Sequence, residues 1–305
     1  MKRGSGLRVG VIGVGSMGKN YARNLAILPG AKLSGVSDLA ADQGQEFAAS
    51  LDVPFFPDLV SLVEVSDALC IVAPAQAHYP IAVDCLNAGK HILIEKPFTG
   101  STRQASELIE LAASKQLHLA ASFLERYNPA FTKLLRLLKG EKIHGIDIKR
   151  FSPFPERITD MDVVYDMMIH DLDLLAQLTN DPIAETKVEG EKVRSKKLDR
   201  VVATFTHQQG IISRISANRV YNDRVRKIAV TTEKLLIEAD LLNKKVLVRD
   251  FSTPQPSTVP VKDVNQLFEQ LRLFVRSIKD HSETPITGRD ALRALQLAEE
   301  VEKAC

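Results

Sequence analysis

The chain has 305 residues, 45% of them hydrophobic, with 40 Lys and Arg against 38 Asp and Glu. A net charge of +2 gives no field for nucleic acid or an anionic membrane surface, and no segment is apolar for long enough to span a bilayer. The length suggests about two domains, with ample apolar residue for two cores.

The first element is an apolar run, Leu7 to Ile12, read as a buried strand. The basic Met1-Lys-Arg start superficially resembles a leader, but glycines at 4, 6, 10, 13 and 15 break the apolar stretch. The run leads into Gly13-Val-Gly15-Ser16-Met17-Gly18 and then a helical pattern with Tyr21, Leu25 and Leu28 on one side. Strand, G-x-G-x-x-G, helix is the layout that holds a dinucleotide. Gly13 permits the tight turn, Gly15 lets the backbone approach a pyrophosphate, and Gly18 lets helix and strand pack closely. The helix start offers free N–H groups to the phosphates. A second strand, Ala31 to Ser37, ends at Asp38, placed to accept hydrogen bonds from the adenosine ribose hydroxyls. Leu39, Ala40 and Ala41 follow, with no cation for a 2′-phosphate, so the expected cofactor is NAD rather than NADP. The alternative, a glycine turn beside a solvated Asp, leaves the register of these features unexplained.

Strand and helix patterns go on alternating to about residue 122. Helical stretches are expected near Ala41 to Ser50, over Asp58 to Val63, His78 to Ala88 and Thr102 to Ser114. Between them lie the strands Ala68 to Ala73, His91 to Ile94 and Leu117 to Ala121. The unbroken apolar run at Ala68 to Ala73 suits a parallel strand covered on both faces. The expectation is an α/β fold: a doubly wound Rossmann sheet over residues 1–122.

Asn128-Pro129 then opens a helix, with Asn as N-cap and Pro in the first helical position. Strand Ile143 to Phe151, a proline-rich segment and a helix over about Asp160 to Leu178 follow. From Ile183 to Arg249 the runs are of β type, which predicts a large, mainly antiparallel open sheet. The basic stretch Lys187 to Arg200 reads as a solvated turn between strands. Two amphipathic helices, Asp263 to Lys279 and Arg289 to Lys303, end the chain. Residues 123–305 are therefore expected to form one α+β domain that binds substrate and self-associates. Cys70, Cys85 and Cys305 have no metal-type spacing, and such usage suits a reducing cytoplasm.

Two places could carry chemistry. Lys96 ends a parallel strand at the sheet edge where ligands bind in open α/β folds. Its ammonium there could stabilise an oxyanion forming as hydride departs. Pro97 restricts it to extended backbone and admits a cis bond. An isolated strand-end lysine would otherwise point to solvent. Asp166 and His170, four apart, share a helix face with Asp162 and Asp173, while Val163, Val164, Met167, Met168, Leu174 and Leu175 form the core side. His170 is placed to take a hydroxyl proton near neutral pH. A solvated polar face, or two ligands of a metal, are the other readings of this pair. No further His or Cys cluster completes a metal shell.

The glycine motif, Pro74-x-x-x-His78-x-x-x-Ala82, AGKHILIEKPF from Ala88 to Phe98, and Asp166-x-x-x-His170 together resemble the glucose–fructose oxidoreductase/inositol dehydrogenase (Gfo/Idh/MocA) family across both halves. The resemblance implies a Rossmann domain followed by an α+β domain, and oxidation or reduction of sugar, cyclitol or nucleotide-sugar hydroxyls with NAD or NADP. It implies Lys96, Asp166 and His170 as the catalytic set, with Ala73, Pro74, His78, Glu95 and Lys96 beside the cofactor. Asp162-Val-Val-Tyr165 stands where the family often has glycines.

Leu124-Glu-Arg-Tyr-Asn-Pro-Ala130, Pro153-Phe-Pro-Glu-Arg157 and Val163 to Asp171 are similar to bacterial UDP-N-acetylglucosamine 3-dehydrogenases, which act ahead of an aminotransferase. That likeness implies a nucleotide-sugar substrate, with Arg126, Tyr127 and Arg157 as substrate contacts. Arg126, Arg150 and Arg157 become candidates for the diphosphate, since guanidinium groups bind phosphate oxygens bidentately. Ordinary loop and cap arginines are the alternative. A dehydrogenase of a free polyol such as inositol and a non-catalytic NAD-bound regulator are the rival functions.

Overall fold

In the computed structural model, residues 6–155 and 161–305 are described. The chain divides into two units. One holds Met1–Leu124 and Asn265–Leu292, the other Glu125–Val264 and Arg293–Cys305.

In chain order the first unit runs β1 Leu7–Ile12, α1 Ser16–Ile27, β2 Ala31–Ser37, α2 Ala41–Ser50, β3 Phe55–Phe56, α3 Leu59–Val65, β4 Ala68–Ile71, α4 Ala75–Asn87, β5 His91–Ile94, α5 Thr102–Ser114 and β6 Leu119–Ala121. Its six strands are all parallel, in the order β3-β2-β1-β4-β5-β6. The winding direction reverses between β1 and β4, which opens a crevice at their carboxyl ends. Every residue of β4 is buried, as expected for a strand with helices on both faces.

The second unit continues with α6 Pro129–Leu137, β7 Ile143–Phe151, α7 Ile169–Leu178, β8 Ile183–Glu191, β9 Arg200–His207, β10 Ile212–Asn218, β11 Val225–Thr232, β12 Leu235–Asp240, β13 Lys245–Asp250 and β14 Ser257–Val259. Asn128 caps α6 as its sequence position predicts, its Oδ1 accepting the Ala130 N–H at 3.0 Å. The eight strands follow the order β14-β13-β12-β11-β7-β10-β9-β8, antiparallel except for the β7–β10 pair. On β9, Val201, Ala203 and Phe205 alternate into the core, so one face of the sheet is covered. The last helices are α8 Gln266–Lys279 and α9 Gly288–Ala304.

Three expectations need correction. Lys187 to Arg200 is not all solvated turn. Its first part belongs to strand β8, and Asp199 is fully buried, accepting three backbone N–H groups and the Arg219 Nε–H. Residues 123–305 do not all form one unit: α8 packs Leu267, Leu271, Phe274, Val275 and Ile278 into the Rossmann core. A helical stripe shows that a face is buried but not which core buries it. The helix expected from Asp160 is a π-helical turn, Val164–Met168, running into α7. Asp162 is not on its polar face. It is buried and caps the helix, its Oδ1 accepting the Val164 and Tyr165 N–H groups at 2.9 and 3.3 Å.

Beneath α7 lies an ionic cluster in which Arg150, Asp171 and Glu125 are buried and Arg226 is exposed. Arg150 on β7 donates to both oxygens of Asp171 at 2.8–3.0 Å and to Glu125 Oε1 at 3.1 Å. Arg226, opposite Arg150 on β11, donates to the same Glu125 oxygen at 3.1 Å. Burial opposes charge on Glu125, but Arg150 and Arg226 outweigh it and hold the carboxyl below its usual range. At Asp171 burial wins and the carboxyl is raised, with Arg150 pulling the other way.

Removing the guanidinium strands the buried Asp171 carboxylate and leaves Glu125 with Arg226 and Asn128, so Arg150→Met is expected to cost about 3–5 kcal/mol at neutral pH. Without Arg150 the Asp171 carboxyl rises further. The folded chain then holds a proton that the unfolded chain releases, so stability falls as pH climbs out of the ordinary aspartate range. Urea midpoints of wild type and variant at pH 5 and pH 7 test this. The deficit should be smaller at pH 5, and one that does not change with pH counts against the assignment.

Candidate active site

At the phosphate turn, Gly13 has φ +87°, and a Cβ there would meet the Val72 and Ala73 backbone at 2.8 Å. A Cβ on Gly18 would stand 1.8 Å from the Gly13 carbonyl oxygen, so only glycine lets α1 start so close to β1. A Cβ on Gly15 would meet nothing within 4 Å. That open space lies at the start of α1, whose first N–H groups have no intrahelical acceptor and no side-chain cap. Ser16 and Met17, the first two residues of α1, are exposed beside it. At the end of β2 the Asp38 carboxylate accepts the Val14 N–H at 2.6 Å and the Ala40 N–H at 2.8 Å. Those two bonds fix its orientation and leave further acceptor capacity for a ribose diol. The residues present therefore fit NAD: an anion cradle at the turn, room for the pyrophosphate above Gly15, and a fixed carboxylate at Asp38.

The neighbouring strand ends have a different character. Ala73 is half-buried and Pro74 exposed, just before α4. His78 is buried, its ring nitrogens 2.7 Å from the Ala73 carbonyl oxygen and 2.8 Å from that of Pro97. Glu95 is also buried, its carboxylate turned into the unit towards Tyr21 and Ser122. For these two expected cofactor contacts the correction is one of role. Their side chains tie the loops together, and what they leave for a cofactor is backbone. Lys96 is half-buried and joined to Pro97 by a cis peptide bond.

In the second unit Asp166 lies in the π-helical turn and His170 one turn on, at the start of α7; both are half-buried. π-Turns are rare and recur at functional sites. Asp171 and Asp173, both buried, are gripped by arginines. Asp171 is held by Arg150, and Asp173 by Arg126 through Nε at 2.8 Å and a second nitrogen at 2.5 Å. Asp173, expected beside Asp166 on a polar face, is buried, and the Arg126 and Arg150 guanidinium groups bond carboxylates of their own chain. Tyr127 is half-buried in the 3₁₀ turn Leu124–Tyr127, and Arg157 lies outside the described residues. The sequence reading missed the buried partners Tyr21, Ser122 and Gln270. Their one signal was a lone glutamine on the apolar stripe of α8.

Comparison with known proteins agrees with this geometry. Residues 7–123 match the model of an oxidoreductase family with an NAD-binding Rossmann fold, and residues 148–238 match the GFO/IDH/MocA C-terminal domain. A UDP-N-acetylglucosamine 3-dehydrogenase from Acidithiobacillus ferrooxidans is 35% identical over 237 residues, 78% of this chain and 75% of that protein. The solved structure of that organism's UDP-N-acetylglucosamine 3-dehydrogenase GnnA aligns with a TM-score of 0.92 at 31% identity, covering 98% of each chain. A myo-inositol 2-dehydrogenase from Thermotoga maritima is 24% identical over 98% of this chain and 96% of its own. An oxidoreductase from Agrobacterium radiobacter, solved with NAD+, L-tartaric acid and magnesium, shares the fold at a TM-score of 0.89 and 15% identity, over 98% and 96% of the two chains.

Fold and phosphate turn thus define an NAD-dependent dehydrogenase. The chain belongs to the GFO/IDH/MocA oxidoreductase family. Among the described residues no helix is long and apolar enough to cross a membrane.

Asp38→Ser is expected to weaken NAD binding roughly 10-fold, the size of one or two charge-assisted hydrogen bonds, and to narrow the margin over NADP. Titration of each cofactor into wild type and variant measures it. NADP affinity equal to or above that for NAD in the wild type would refute the role given to Asp38.

Proposed function

We propose that the chain oxidises the 3-hydroxyl of UDP-N-acetylglucosamine with NAD, in the cytoplasm, ahead of an aminotransferase. The observation that carries this reading is the likeness to the Acidithiobacillus enzyme, which extends through both units at 31% identity and a TM-score of 0.92. NAD, when bound, supplies the acceptor for the hydride leaving the carbinol carbon. His170 takes the hydroxyl proton, Lys96 offsets the charge that develops on the oxygen, and Asp166 orients the imidazole or the substrate. Gly13, Gly15, Ser16, Met17, Gly18 and Asp38 hold the dinucleotide, with the backbone of Ala73, Pro74 and Glu95 alongside. Tyr127 and Arg157 are assigned to substrate. The unpaired cysteines fit a reducing compartment. Ile212 and Leu247 on the outer face of the second sheet favour self-association. The rival reading, a free polyol such as inositol, draws on the Thermotoga relative.

NAD reduction with UDP-N-acetylglucosamine, other UDP-sugars and free inositols separates the two. The proposal expects turnover with the UDP-sugar and none with inositol; the reverse pattern overturns it. With the preferred substrate, Lys96→Ala is expected to lower turnover about 100-fold while NAD affinity holds. Loss of NAD binding with turnover intact at saturating cofactor would make Lys96 a cofactor ligand.

The rate of oxidation should rise with pH through the range in which histidines titrate, and His170→Ala should abolish that limb. A pH–rate profile of both proteins decides the point. An unchanged acidic limb in the variant would move the base elsewhere, with Lys96 next in line.

A further inference from the structure

Glu95 is a carboxylate directly after the buried apolar residues Ile92, Leu93 and Ile94 of β5, where a charge is costly unless it is well bonded. Three directional bonds reach it. Oε1 accepts the Tyr21 hydroxyl at 2.5 Å and the Ser122 hydroxyl at 2.7 Å. Oε2 accepts the backbone N–H of Lys96 at 3.0 Å. Both hydroxyls in turn accept from Gln270 Nε2, at 3.0 and 3.1 Å. Tyr21, Ser122 and Gln270 are each at most 3% exposed. Burial and then Glu95 push the Tyr21 phenol well above its usual range, so Tyr21 stays a donor at any working pH.

The four residues come from α1, β5, the end of β6 and α8. α1 starts at the phosphate turn, and Glu95 directly precedes Lys96. The network therefore links the element that holds the cofactor phosphates to the backbone that presents the lysine. We propose that Glu95 is a positioning residue for Lys96, set by Tyr21 and Ser122 and completed by Gln270, rather than a contact to NAD. This rests on the catalytic role given to Lys96 above. A group that holds a reacting side chain in place affects the chemical step more than binding. Members of a hydrogen-bonded network are also non-additive.

The test is a double-mutant cycle on the full chain with NAD and the preferred substrate, using Tyr21→Phe and Glu95→Gln, with Lys96→Ala as reference. Both substitutions keep side-chain volume. Expected are about a 5-fold loss of turnover for Tyr21→Phe and about 30-fold for Glu95→Gln, with the double variant within 2-fold of Glu95→Gln alone. The NAD dissociation constant should stay within about 3-fold throughout. Unchanged turnover, multiplicative effects, or loss confined to NAD affinity each overturn the inference while Lys96→Ala remains inactive. If Lys96→Ala keeps its turnover, the parent reading fails and the inference falls with it. Should Glu95→Gln not fold, Tyr21→Phe decides alone. Its loss of turnover at constant NAD affinity supports the network, and normal turnover refutes it.

Discussion

The arrangement of the first unit depends on one close approach. Helix α1 begins against the carbonyl oxygen of Gly13, and a single added carbon at Gly18 would stand 1.8 Å from that oxygen, far inside contact distance. Because Gly18 has no side chain, the helix axis can aim its free N–H groups at the space above Gly15. The same placement puts Tyr21, one turn along, beneath the end of β5, where its hydroxyl reaches Glu95. The cradle for the phosphates and the support for Lys96 are therefore two consequences of one helix position.

The second unit is organised by charge burial. Helix α7 carries two acids, Asp171 and Asp173, into the interior, and each is met by an arginine from a different element: Arg150 from β7 and Arg126 from the 3₁₀ turn. Such pairs add little net stability, since desolvation cancels much of the attraction, but breaking one is costly. Their effect is to fix the helix in rotation. Asp171 and Asp173, two residues apart, leave the helix in different directions, so the two arginines together oppose its turning about its axis.

Much of this was legible in the residues. β5 and α5 fall where the apolar pattern put them, because a parallel strand with both faces covered and a capped helix leave unambiguous local signals. The phosphate turn was legible because each glycine answers a separate steric demand. The π-turn at Val164–Met168 was not, since Val163, Val164, Met167 and Met168 satisfy an α-helical stripe equally well. Nor was the return of α8 to the first core. The Glu95 network stayed hidden for a further reason: three of its members look ordinary in isolation, a tyrosine on an apolar stripe, a serine after a strand and a glutamic acid read as a cofactor contact.

The two ligands differ in how far sequence can identify them. A dinucleotide is recognised largely by backbone and by one carboxylate at a fixed offset, so spacing alone carries the information. A substrate is recognised by long side chains, and their partners are set by the tertiary fold. Arg126 and Arg150 show the difference. As sequence they are bidentate donors near Asp166 and His170, equally suited to a diphosphate or to a carboxylate. In the folded chain Asp171 and Asp173 take them, and the acids that do so lie in the same helix as the proposed base. Arginines near a proposed catalytic pair thus say little about a phosphorylated substrate until the carboxylates competing for them have been placed.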